Sequence, residues 1–153
     1  AVPLYEQIHL LKKNLKAVAA GIISGTLAGL CSILLISKLF GFNHQEYVTM
    51  LPKSITTAIG MGVSEELGGI VTITVAVIII TGVLGNMIAE VVYKIAKIEE
   101  PIARGLGLGT SAHAIGTAKA MELGPVEGAM SSLSIAVSGL MTVIGATIFY
   151  QLY

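Results

Sequence analysis

"TTAIGMGVSEELGG", residues 56–69, carries adjacent carboxylates, three hydroxyls and four glycines, yet apolar runs flank it on both sides. A second stretch, "SAHAIGTAKAMELGP" at 111–125, repeats its pattern. An offset of 56 lays Ala58-Ile59-Gly60 on Ala114-Ile115-Gly116 and Glu66-Leu67-Gly68 on Glu122-Leu123-Gly124. That gives six identities in eleven ungapped positions, 58–68 against 114–124, and marks an internal duplication.

Composition explains why such stretches stand out. The 153 residues are 54% hydrophobic and only 12% charged, with a mean hydropathy of +0.86. Soluble domains carry about 25% charged residues, so this is the composition of a membrane protein, with the lipid bilayer as its first partner. A formal net charge of zero offers nothing to nucleic acid. The single cysteine, Cys31, lies in an apolar run and reads as a small packing residue.

Three uncharged spans are long enough to cross a bilayer, which takes roughly 20 residues: 17–37, 67–89 and 128–153. The first carries Gly21, Gly25 and Gly29 at four-residue spacing, a small-residue face for close helix contact in lipid. Residues 42–66 and 98–127 are only moderately apolar and rich in Gly, Ser and Thr. Each therefore reads as an interrupted polar segment ahead of one full membrane helix.

Basic residues orient the chain. Lys12, Lys13 and Lys16 precede the first span, and Lys94, Lys97 and Arg104 follow the second, so both places belong on the cytoplasmic side. That holds only if 42–66 enters the membrane and returns, with Lys38 and Lys53 on the outer side against the bias. The sequence thus predicts an all-α membrane protein in which transmembrane helices accompany two discontinuous, re-entrant or broken, helical segments. These are related by an internal and inverted repeat. One membrane domain covers 1–153, with repeat units at about 42–93 and 98–153.

Irregular backbone inside hydrocarbon survives only where protein or a watery cavity surrounds it. In carriers, broken helices from two repeats offer free helix ends to a solute near the midplane, and helix N-termini suit anions. The candidate solute-binding residues are Thr56, Thr57, Ser64, Glu65 and Glu66 in the first motif. In the second they are Thr110, Ser111, His113, Thr117 and Lys119. Gly60 and Gly116 permit the breaks. Arg104, Glu122 and Glu127 are structural or coupling candidates, Arg104 with Glu127 either as an interfacial pair or as anchors. His113 either binds a carboxylate or carries a coupled proton, or is a buried histidine bonded to a backbone carbonyl. Lys119 is either an intramembrane functional cation or snorkels to the interface. Glu66 and Glu122 hold equivalent repeat positions, which favours an architectural role such as accepting N–H groups at a helix start. No metal-ligand cluster, phosphate-binding loop or nucleophile elbow is present, so the reading is of a non-enzyme without metal or cofactor.

"PIARGLGLGTSAHAIGTAKAMELGPVEGAMSSL" at 101–133, "LPKSITTAIGMGVSEELGG" at 51–69 and "AVPLY" at 1–5 closely resemble the LrgB/CidB family. The likeness covers essentially the whole chain. Members are usually longer at the N-terminus, so the chain reads as the C-terminal two-thirds of such a protein. The resemblance implies a multi-pass protein of the bacterial plasma membrane, with a holin-like LrgA/CidA partner. Members are described as antiholin-like regulators of murein hydrolase activity and cell lysis, and relatives as carriers of pyruvate, or of glycolate and glycerate. Thr57, Glu66, Arg104, Thr110, His113, Gly116, Lys119 and Glu127 fall on the family motifs. Two functions remain open: a carrier of small monocarboxylates, or a lysis regulator that oligomerises with its partner through the Gly21/Gly25/Gly29 face. A homo-oligomer is expected in either case.

Overall fold

In the computed structural model, which describes residues 5–153, helices follow one another without a strand among the described residues. They are α1 (Ile8–Lys13), α2 (Leu15–Phe40), α3 (His44–Met50), α4 (Thr57–Glu66), α5 (Val71–Ile95), α6 (Pro101–Leu123) and α7 (Pro125–Tyr150). The "AVPLY" motif lies outside the described residues except for Tyr5.

Local chemistry sets the boundaries. Helix α2 ends at Gly41, whose φ of +65° is reached most easily without a Cβ, and the Phe42 N–H closes on the Ser37 carbonyl at 3.0 Å. Two residues on, Asn43 and Glu46 form a capping box: the Glu46 N–H donates to Asn43 Oδ1 at 2.9 Å, and the Asn43 N–H donates to Glu46 Oε2 at 2.8 Å. Helices α6 and α7 both begin on a proline, at the position where no N–H is needed.

Three helices are long and apolar enough to cross a membrane: α2, α5 and α7, of 26, 25 and 26 residues. At about 1.5 Å per residue each reaches roughly 38 Å, more than the hydrocarbon core of a bilayer. Their outer faces stay bare, with Leu35 at 69%, Met87 at 70% and Leu140 at 64% exposure. A face of that kind is unfavourable in water and at rest in lipid.

The inner faces meet in three clusters. Leu30 and Ile33 of α2 pack with Tyr47, Val48, Leu51, Ile55, Val63 and Ala146 at one end of the molecule. Tyr153 seals that end: its ring stacks on Tyr47 at 4.5 Å, and its hydroxyl donates to the Ser37 and Phe42 carbonyls. Val18, Ile22, Leu106, Ala129 and Met130 join α2 to the α6–α7 hairpin, and Ala89, Tyr93, Leu108, Ala112 and Ala120 join α5 to α6.

The glycine face of α2 is spent inside the chain. A Cβ at Gly25 would stand 2.7 Å from Thr110 Oγ1, and one at Gly21 would stand 2.8 Å from Leu106 Cδ1. Gly21 and Gly25 thus bring α2 onto α6 of the same chain, the close helix contact expected of their four-residue spacing. Cys31 is corrected: it is exposed rather than packed.

Candidate functional site

The backbone of α6 departs from helical geometry at His113, where φ is 44° and ψ is −131°. A non-glycine residue held there stores about 1–3 kcal/mol unless its surroundings fix it. They do. The Nε2 atom lies 2.9 Å from the Ile78 carbonyl oxygen, which can only accept, so Nε2 carries the proton. The ring lies against Gly82, where a Cβ would stand 2.6 Å from His113 Cε1. On the far side Thr117 Oγ1 donates to the His113 carbonyl at 3.0 Å and sits 2.7 Å from Ser131 Oγ. A Cβ at Gly116 would meet the Leu108 carbonyl oxygen at 2.7 Å, so the two parts of α6 close across the bend around a bare position. His113 Nδ1 is buried and has no partner among the described residues.

The first motif reaches the same place from the other side. Gly60 of α4 faces Ile78 Cδ1, with no room between them for a side chain. Both motifs thus bear on a single residue of α5. Around Ser64 the contacts are structural: the Thr74 hydroxyl donates to the Thr49 carbonyl at 2.9 Å and lies 2.7 Å from Ser64 Oγ, while Thr49 Oγ1 accepts the Ile70 N–H at 2.8 Å. This pin ties α3, α4 and α5 together. Thr74→Val keeps the shape but leaves a buried carbonyl and hydroxyl without their partner, and is expected to lower stability by about 1–3 kcal/mol in a thermal melt in detergent.

The other expected site residues divide. Thr56 is the N-cap of α4 without a side-chain cap bond, and Thr57 follows it, both half-buried. Glu65 and Glu66 are exposed. Glu66 closes α4, and Glu122 lies beside the last residue of α6, so both sit at helix ends rather than at the starts where they were expected to accept N–H groups. Lys119 is not an unpaired cation: it bonds Glu90 Oε1 at 2.5 Å and Glu122 Oε2 at 3.3 Å near the surface. Arg104 and Glu127 form no ion pair; Arg104 Nε donates to the Ile98 carbonyl at 2.8 Å, and Glu127 is buried in the first turn of α7.

Thr110 and Ser111 do face a cavity. It measures about 660 Å³, runs between α2, α5 and α6, and ends at the turn that joins α3 to α4. Lys53 and Ser54 stand at that end with Lys53 Nζ 2.9 Å from Ser54 Oγ. Thr81, Thr110 and Ser111 add hydroxyls, and Leu84, Ile88 and Val92 form an apolar wall. No carboxylate pairs with Lys53 among the described residues, whose ion pairs all belong to Lys119. A void of about 10 Å³ adjoins it, lined by Thr26, Ser54, Thr110 and Thr142, with room for one water-sized atom. Thr26 Oγ1 is buried there without a hydrogen-bond partner among the described residues. The arrangement is a half-buried lysine and several hydroxyls at the head of an apolar slot. Lys53 was not among the candidate residues of the sequence, although it is the only charged residue between Glu46 and Glu65. Asn86, whose Nδ2 donates to the Ile115 carbonyl at 3.1 Å, was missed as well.

The chain is 37% identical over 142 residues to the holin-like protein CidB of Staphylococcus aureus strains Mu50, N315 and MW2. The match covers 93% of this chain and 62% of each relative, so the chain spans about three-fifths of their length. No solved structure matches it. The LrgB-like family model matches residues 1–152. With that match running through all three membrane-length helices and both polar motifs, the chain is a multi-pass membrane protein and belongs to the LrgB-like family.

Proposed function

We propose that this chain forms the solute-binding part of a secondary carrier for small monocarboxylates of the pyruvate, glycolate or glycerate type. One observation carries the reading: Lys53, without a carboxylate partner among the described residues, heads a cavity of about 660 Å³ whose other polar groups are hydroxyls. Removing an ammonium from water without a counter-charge is unfavourable by several kcal/mol, and a carboxylate from solution relieves that. The ammonium and the Ser54 hydroxyl bind the carboxylate, while the wall of Leu84, Ile88 and Val92 takes the carbon body. Ser111 lines the same cavity, and His113, with Thr117 bonded to its carbonyl, holds the bend of α6 in place.

In this reading residues 42–66 form a re-entrant hairpin with Lys53 at its tip, and the two repeats lie inverted in the bacterial plasma membrane. Each copy of the repeated sequence supports this, being a short helical piece between a bend and a membrane-length helix: 57–66 before α5, and 114–123 before α7. Movement of one repeat-bearing unit against the rest exposes the site to alternate sides. Several copies assemble in the bilayer through the exposed faces of α2, α5 and α7.

The relatives carry the name holin-like protein, and the second reading is an antiholin-like regulator of murein hydrolase activity and lysis that works with a holin-like LrgA/CidA partner. Uptake of radiolabelled pyruvate and glycolate into proteoliposomes separates the two. The carrier reading expects saturable uptake without any partner present. Rates equal to those of empty liposomes, together with capture of a holin-like partner, contradict it.

A further inference from the structure

A second cavity of about 350 Å³ lies at the elbow between α5 and α6, away from Lys53, and is lined by Glu90, Tyr93, Lys94, Lys97, Glu99 and Arg104. Its charges do not cancel. Three cations, Lys94, Lys97 and Arg104, line it against two acids, Glu90 and Glu99, and Glu90 is held by Lys119, which Glu122 shares. None of Lys94, Lys97 and Arg104 has an ion-pair partner among the described residues. The backbone holds them in place. Tyr93 donates its hydroxyl to the Arg104 carbonyl at 2.7 Å, and the Arg104 guanidinium lies 5.8 Å over the Tyr93 ring. The Arg104 Nε bond to Ile98 fixes the fork while leaving its terminal nitrogens outside any ion pair. Lys97 turns the chain with a φ of 53°.

Three cations around one cavity, none of them in an ion pair among the described residues, suit an anion, and the place says which kind. The elbow follows the last turn of a helix long enough to reach from one headgroup region to the other. A guanidinium fork beside two ammonium groups suits the oxygens of a phosphate. We infer that the Lys94/Lys97/Arg104 elbow is a binding site for a phosphate group, supplied by an anionic phospholipid of the surrounding leaflet. The site does not depend on what the Lys53 cavity carries.

The test uses the whole chain in neutral detergent with phosphatidylglycerol, phosphatidylcholine or inorganic phosphate as probe, read by native mass spectrometry and by the thermal midpoint. Phosphatidylglycerol is expected to be retained and to raise the midpoint more than phosphatidylcholine does. In the Lys94→Gln/Lys97→Gln double variant its affinity should fall about thirtyfold, from the contribution of two basic residues near a charged surface. Both lysines are exposed, so this variant should fold, which its midpoint in phosphatidylcholine checks. Arg104→Lys keeps the charge without the fork and should give an intermediate loss. If inorganic phosphate matches the lipid in the wild type and loses its effect in the double variant, the site stands with free phosphate as its source. No preference for phosphatidylglycerol together with no response to phosphate, or wild-type affinity in the double variant, overturns it.

Discussion

Lys53→Gln is expected to cut the initial rate of pyruvate or glycolate uptake in proteoliposomes by roughly tenfold to a hundredfold at low substrate. A hydrogen bond to a charged group contributes about 1.5–3 kcal/mol, and here the same ammonium also supplies the charge that makes the cavity hospitable to an anion. The loss should appear in binding as much as in rate, because the carboxylate is charged throughout its passage. Lys53→Arg keeps the charge on a longer fork and should retain part of the activity. Ser54→Ala removes only the hydroxyl beside Lys53 Nζ and should have a smaller effect. The melt of Lys53→Gln should stay at or above that of the wild type, because an unpaired ammonium is removed from a half-buried place. Wild-type uptake in Lys53→Gln would remove the residue from the mechanism.

Gly109→Leu should have the largest effect on the fold. A Cβ at position 109 would stand 2.6 Å from both the Ser131 carbonyl oxygen and Ser134 Cβ, and 3.0 Å from Ser131 Cα. Two of these three atoms are backbone, which no rotamer change can move. The hairpin of α6 on α7 must therefore open, which also strains the Thr117–Ser131 contact eight residues further along α6. Overpacking of this kind is unfavourable by about 1–3 kcal/mol, and by more when backbone must shift. Gly62→Ala is the matched control: position 62 is exposed, in α4, with nothing near its Cβ. A helix there should gain up to about 1 kcal/mol from losing a glycine. Melts in detergent should move the two variants in opposite directions. Equal shifts would mean that the α6–α7 contact is looser than described.

The membrane helices were legible in the sequence because lipid asks only for length and apolarity. Spans read at 17–37, 67–89 and 128–153 appear as Leu15–Phe40, Val71–Ile95 and Pro125–Tyr150. The late start of the second has a local cause: Gly68 turns at a φ of +78°, and Gly69 passes so near Ser64 and Thr49 that the helix restarts only at Val71. The polar motifs were legible as places, less so as chemistry. Ser64 and Thr110 offer the same hydroxyl chemistry, yet one closes a buried pin and the other faces a cavity. The pairing of Lys119 was not legible, because its partner Glu90 lies on another helix, although its spacing of three from Glu122 offered a hint. Lys53 was counted only for charge bias; its isolation between Glu46 and Glu65 was the available signal.

A distance decides the matter most directly. With carboxyl-¹³C pyruvate and side-chain-¹⁵N lysine in lipid-reconstituted protein, solid-state dipolar recoupling measures how near the bound carboxylate lies to an ammonium nitrogen. The Lys53 account expects one coupling, within ion-pair range of about 4 Å, that disappears in Lys53→Gln. A coupling that survives the substitution would place the anion against another lysine, and saturable binding with no coupling at all would place it away from every one of them.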